Sequence, residues 1–459
     1  MSQLLNKMKK PVKKLARLGV AQLDDWFLKE THRFTITGLS RSGKSMLFTS
    51  LMTILKYRSE HNYNCLPLLE YLPVELVESM RIEALEGHQA FPLDEHLAML
   101  EAGQWPSPTE HIFGFKLIVR LKQTNRLKQY VLPYTDVVFE FVDYPGEWIT
   151  DLPMLNKTYE QWSDSAWAQQ ASDPQLAFAQ PWHEFARQFD FEQAPTEAAI
   201  QALVECYRGY LINAKQAGLS LLQPGSFLLE NSGFDWGSGG FTPLPAKVTS
   251  DVSHPWLVAF QARYQAFQNE WLTTLKRDVF KECDKQIILV DLFAGLNHSK
   301  QHLYQLKETL SHLADTFVYG NPNWFSRKIL RNNAIAKVAF VGTKMDLLPH
   351  SQKRNMLSLL TQLTEGARAK FAEQSVEFEH FLVSAIQATD KGSNENALRF
   401  VSSQGQYIEA EFESIPATLQ DMAADEHFPT LDAHVPKDHL ARMLNGRGLD
   451  RLFQFLLAN

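Results

Sequence analysis

The spacing of apolar residues changes its period many times along this chain. Short runs with strand character lie at 34–37, 112–121, 136–142, 286–292, 337–341 and 379–383. Those at 286–292 and 337–341 are continuously apolar, the pattern of strands buried on both faces of a parallel sheet. Elsewhere the period lengthens to that of helices, at 44–57, 93–101, 197–214, 255–282, 300–318 and 351–374. The stretch 73–85 also reads as helical. Polar residues 122–128 form the natural turn between the second and third strand-like runs. Strands alternating with helices predict an α/β fold with a doubly wound, mostly parallel sheet. The tail adds a hairpin, 398–401 with 407–411, and a final helix over 437–457 that Gly446 and Gly448 interrupt.

This order divides the chain into an α/β core with insertions. Residues 1–30 form a basic, roughly helical segment, with Lys7, Lys9, Lys10, Lys13, Lys14 and Arg17 among leucines. It suits a helix packed on its own domain with a solvated basic face, and would also suit an anionic membrane face. The core proper runs over 31–57, 109–148 and 284–459. A helical insertion at 58–108 and a larger one at 149–283 interrupt it. Within the second, 231–240 is rich in glycine but follows no strand and lacks a Lys-Ser or Lys-Thr ending. It reads as a flexible connector.

Composition narrows the class. The 459 residues are 45% apolar and 21% charged, as in globular proteins. A net charge of −7 gives no reason to expect nucleic-acid binding. Cys65, Cys206 and Cys283 are distant and odd in number, so they read as reduced thiols rather than a disulfide frame or zinc site. No run approaches the roughly 18 apolar residues of a spanning helix, and no signal peptide is expected.

The chemistry concentrates first at Gly38-Leu39-Ser40-Arg41-Ser42-Gly43-Lys44-Ser45. This is the phosphate-binding form G-x-x-x-x-G-K-[ST], with a strand before it and a helix after it. Its glycines let successive N–H groups face one anion, and the helix adds its positive end. Gly38, Ser40, Arg41, Ser42, Gly43 and Met46 are candidate nucleotide contacts. Lys44 should reach the β- and γ-phosphates, and the Ser45 hydroxyl should ligate Mg²⁺.

Three weaker signals follow in order: D-x-x-G at Asp143–Gly146, T-K-x-D at Thr343–Asp346, and Ser384-Ala385. Each ends a strand-like run, where open α/β sheets place their ligands. Together with the phosphate loop they resemble the Ras-like GTPases. The resemblance implies that Asp143 meets Mg²⁺ through water and that the Gly146 N–H senses the γ-phosphate. It implies that Asp346 accepts from the two donors on the guanine edge, which adenine lacks. Lys344 would lie along the base, the Ala385 N–H would meet the guanine O6, and Ser384 and Ile386 would flank it. Thr343 stands where the family more usually has Asn. Thr109, before the second strand-like run, is placed to complete the Mg²⁺ shell.

Two departures touch catalysis. Glu147 stands where Ras-like proteins carry a glutamine that orients water. A carboxylate there has no amide donor and adds charge near the γ-phosphate, so hydrolysis is expected to be slow unless Glu147 turns away. Arg41 sits inside the phosphate loop, as in guanylate-binding proteins. A guanidinium there could act as an internal finger on the β–γ bridge, or could simply point to solvent.

At a finer level the chain resembles the YcjX family of bacterial stress-induced P-loop GTPases. The likeness rests on residues 38–45, Trp-Pro-Ser-Pro-Thr at 105–109, Asp-Tyr-Pro-Gly-Glu-Trp at 143–148 and Val-Gly-Thr-Lys-Met-Asp at 341–346. It implies a cytoplasmic GTP/GDP-binding protein linked to stress, working with an unidentified protein partner near the inner membrane. Two functions stay open: a Mg²⁺-dependent GTP-hydrolysing switch, and a nucleotide-stabilised interaction module with little turnover. Asp346 disfavours an ATPase.

Overall fold

In the computed structural model the described residues are 31–39, 41–57, 76–107, 111–123, 133–143, 145–229, 233–275, 285–318, 335–372, 376–423, 426, 428 and 431–457. The basic segment 1–30, Ser40, Thr109 and residues 124–128 of the expected 122–128 turn lie outside them.

The central sheet runs in the order β2-β4-β5-β1-β6-β7-β8, with short β3 beside β4. Its strands are β1 (Thr31–Gly38), β2 (Val77–Ala84), β3 (Gln89–Ala90), β4 (Phe113–Lys122), β5 (Tyr134–Asp143), β6 (Lys285–Val290), β7 (Lys337–Gly342) and β8 (Glu377–Leu382). β1 pairs in parallel with β5 and β6, and β6–β7 and β7–β8 are also parallel. β4 joins β5 antiparallel. The sheet is therefore the mostly parallel one that the alternating pattern predicts.

β6 and β7 are buried along their whole length. Their alternate side chains enter two different cores. Ile287 and Leu289 of β6 join Ala339 and Val341 of β7 on one face. Ile288 and Val290 join Val338 and Phe340 on the other. The first face is covered by α1 (Lys44–Lys56) through Leu47, Phe48 and Leu51, and by the C-terminal helix through Leu452, Phe453 and Leu456. The second is covered by Lys300–Val318 through Leu303, Leu306 and Leu310, and by Lys353–Leu363 through Met356, Leu359 and Leu360. The expected helix at 351–374 breaks at Thr364 into two, and the expected C-terminal helix is two pieces, His439–Leu444 and Leu449–Leu457.

The first insertion corrects the sequence expectation. Residues 77–84 form strand β2 at the sheet edge, not a helix. It pairs along its length with β4, turning Met80 and Ile82 onto the core, and Glu78 with Lys122 and Glu83 with Lys116 form cross-strand ion pairs at 3.1 Å. The expected helix at 93–101 forms as α2 (Leu93–Glu101), docked on α1 by a 2.9 Å contact between His96 Nδ1 and Thr49 Oγ1.

Helix α3 (Gly146–Asp151) packs Trp148 and Ile149 into the core beneath β6 and β7. The second insertion has its own core, built on α4 (Tyr159–Gln170), α5 (Leu176–Gln188), α6 (Glu197–Gln216) and α7 (Pro255–Ala266). Trp162, Trp182 and Trp256 are fully buried in it. In its described part the glycine-rich stretch, expected as a flexible connector, holds a short helix, Trp236–Gly239, capped by Asp235. Trp236 stacks 4.5 Å from Phe227 and also meets Phe241 and Phe267.

Candidate functional site

The phosphate loop joins the C-terminal end of β1 to α1. Gly43 is left-handed at φ 86°, which turns the chain into the helix without strain. A Cβ on Gly38 would fall 2.4 Å from Ser42 Oγ and 2.8 Å from Leu289 Cβ, so no side chain fits where the loop leaves the strand. Lys44 folds over this curl, donating to the carbonyls of Gly38 at 3.0 Å and Leu39 at 3.3 Å. Burial lowers the Lys44 pKa, while the charges of Asp143 and Glu147 oppose that shift. Asp143, at the end of β5, is fully buried, and Gly146 opens α3 directly after it.

A second loop comes from the end of β7. A Cβ on Gly43 would lie only 3.8 Å from Thr343 Cβ, so this loop packs against the phosphate loop. Lys344 is left-handed at φ 60° and its ammonium donates to Asp291 Oδ2 at 2.6 Å. Asp291 also caps the helix Leu292–His298, accepting from the Phe293 N–H at 3.1 Å. Asp346 is buried. Burial pushes its carboxyl up to about 6, against the Ala388 N–H that donates to Oδ2 at 3.1 Å. A third loop, Ser384–Ile386, closes the wall. Its Ser384 exchanges backbone hydrogen bonds with Arg447.

These three loops open on one cavity of about 610 Å³. Of the expected site residues, Arg41, Gly43, Lys44, Ser45, Met46, Glu147, Thr343, Lys344, Asp346, Ala385 and Ile386 line it. Gly38, Ser42, Asp143, Gly146 and Ser384 are not among the residues that line it. The expected contacts Ser40 and Thr109 fall outside the described residues. The volume is within the range of small-molecule sites, about 300–1,000 Å³. Thr343 Oγ1 at the wall and Ser42 Oγ inside the loop are buried without a protein hydrogen-bond partner, which suits a polar ligand.

Four further residues belong to the site or touch its lining residues. Trp105 and Pro106 form part of the cavity wall, Trp105 donating from Nε1 to Ala433 O at 3.1 Å. Asp291 ends β6 at the sheet edge where ligands bind, which is the signal that could have found it. Lys215, from the last turn of α6, lies 3.0 Å from Glu147 Oε1. A lysine near a helix end carries no local sign of such a contact.

The Glu147–Lys215 pair is one of several ties between α3, which begins at Gly146, and the rest of the second insertion. Thr150 Oγ1 donates to Leu222 O at 3.0 Å. Asp151 accepts from the N–H groups of Gly225 at 2.6 Å and Ser226 at 2.8 Å. Burial raises the Asp151 carboxyl to about 7, against those two donors. Trp148 meets Trp271 edge-on at 5.0 Å.

Comparison with known proteins agrees with the geometry. A model of the YcjX-like family, DUF463, matches residues 32–459. A protein of Escherichia coli (strain K12) named Ras-like GTPase YcjX is 29% identical over 371 residues, covering 78% of this chain and 79% of its own. One of the same name from Shewanella oneidensis (strain MR-1) is 24% identical over 381 residues, covering 78% of each.

Proposed function

This chain belongs to the YcjX-like family, and from that footing we propose that it binds GTP and GDP and hydrolyses GTP as a molecular switch. One observation supports this above all: a single cavity joins the Lys44–Ser45 end of the phosphate loop to the buried carboxylate of Asp346. The loop N–H groups and the Lys44 ammonium suit a row of phosphates. Asp346 suits the paired N–H donors of guanine. Its raised pKa means that such a base, by donating to the ionised form, removes part of the burial penalty.

Ser45 and Asp143 flank Lys44 at the phosphate end, with Thr109 as the third candidate for Mg²⁺. Magnesium held by these residues would supply electrostatic stabilisation of phosphate charge. Lys44 holds the phosphates, and Arg41, lining the same wall, is positioned to meet charge developing on the β–γ bridge. Gly146 carries the N–H that would sense a third phosphate. Because Glu147, Thr150 and Asp151 of α3 are bound to residues 215–226 of the second insertion, a shift at Gly146 is passed along α3 to the rest of that insertion. The stress-related role, the cytoplasmic location and a partner near the inner membrane come from the family resemblance. No described helix is long and apolar enough to cross a membrane.

A second function, a nucleotide-stabilised interaction module with little turnover, is favoured by Glu147. It has no amide donor and is held in an ion pair. Single-turnover hydrolysis of radiolabelled GTP with Mg²⁺ separates the two. Release of phosphate that Lys44→Ala abolishes supports the switch. Persistent GTP in the wild type supports the module.

A further inference from the structure

One turn of the second insertion reaches the cavity from outside the nucleotide core. Helix α6 ends at Gln216. From its last turn, the Lys215 ammonium meets Glu147 at 3.0 Å, with the lysine side chain 30% and the glutamate side chain 7% exposed. Just beyond, Gly218 is left-handed at φ 101°, and a Cβ there would come 3.1 Å from Arg41 Nη1. The same turn therefore touches both Arg41 and Glu147, which line the cavity at its phosphate end. A cation in a helix's last turn is favoured by the dipole alone. Lys215 does more, reaching out to a carboxylate on another element.

The electrostatic consequence follows from burial. A carboxylate this enclosed is poorly screened. It sits close enough to Lys44 for its charge to act on that ammonium. A third phosphate, held by Lys44, adds negative charge on this side of the cavity. Without a neutralising partner, Glu147 would oppose it.

We propose that Lys215 is a specificity-determining positioning residue: by neutralising Glu147 it lets the cavity accept a nucleoside triphosphate, so the second insertion sets the preference of triphosphate over diphosphate. The proposal rests on the guanine-nucleotide function given above. Linkage makes the coupling reciprocal. A triphosphate favours the docked position of α6, and a partner that pulls the Lys215–Gly218 turn away weakens triphosphate binding more than diphosphate binding.

The test is calorimetric titration of the full chain with GTPγS and with GDP, both with Mg²⁺. Lys215→Met keeps the apolar stem and removes the charge. It should weaken GTPγS binding about tenfold or more, about 1.4 kcal/mol, and leave GDP within about threefold. Lys215→Arg should restore the wild-type ratio. Adding Glu147→Gln to Lys215→Met makes this pair of positions neutral again, so the double variant should return to within about threefold of the wild-type ratio. A wild-type ratio in Lys215→Met, or an undiminished loss in the double variant, overturns the proposal. If Lys215→Met does not fold, Glu147→Gln alone decides: GTPγS affinity should hold or rise, and a tenfold fall overturns the proposal. Wild type that binds neither nucleotide refutes the nucleotide function itself, and the proposal with it.

Discussion

Ser50 Oγ donates a 2.7 Å hydrogen bond to the backbone carbonyl of Ala385. This ties α1, which begins at the phosphate loop, to the loop expected to meet the guanine O6. Ser50 is fully buried, so Ser50→Ala leaves a carbonyl without this donor, at about 1–3 kcal/mol. The variant should melt lower and bind GDP more weakly, by about three- to thirtyfold. Thermal unfolding with and without GDP reads both effects.

Asp346 gives a pH dependence with a fixed sign. Its carboxyl is pushed up to about 6 by burial, and only the ionised form accepts both guanine donors. Affinity for GDP should therefore rise with pH through about 6 and level off above 7, with proton release on binding near pH 6. Asp346→Asn removes this titration and, by offering a donor in place of one acceptor, should shift preference from guanosine to xanthosine nucleotides. Phosphate ionisation is common to both proteins, so the difference between their pH profiles isolates the carboxyl. Identical profiles would exclude this role.

Arg41 is left-handed at φ 63°, an unusual conformation for a residue with a side chain, and it lines the cavity. Arg41→Ala should slow single-turnover hydrolysis by more than about tenfold with GTP affinity unchanged within about threefold. A smaller loss of turnover would remove the arginine from catalysis.

Gly225 lies where the second insertion meets α3. A Cβ there would fall 2.3 Å from Glu147 O and 2.4 Å from Thr150 Oγ1. Gly225→Ala must push the insertion off α3, destabilising the chain by about 1–3 kcal/mol. In wild type, hydrogen exchange at 148–170 should differ between GTPγS and GDP. In Gly225→Ala that difference should shrink. An unchanged difference would mean that the contact does not carry the signal.

Much of this was legible from the sequence because the signals are local. The phosphate loop needs its glycines and its Lys-Ser pair at fixed positions. The strands β6 and β7 show themselves by unbroken apolar runs, since both of their faces are covered. What was not legible depends on contacts between distant segments. Residues 77–84 carry as many charges as a helix would, and it is pairing with the distant strand β4 that makes them a strand. Phe234 and Trp236 were the overlooked sign that the glycine-rich stretch is packed, because two large rings there need a core to enter. Lys215 meets Glu147 only through the fold of the whole insertion.

The central claim is that one cavity holds phosphates at Lys44 and guanine at Asp346. Competitive titration of wild type and Asp346→Ala with GDP and ADP tests it most directly. Wild type should prefer GDP over ADP by at least about a hundredfold, and Asp346→Ala should lose most of that preference while still binding both weakly. Equal affinity of the wild type for GDP and ADP, or an undiminished preference in Asp346→Ala, would contradict it.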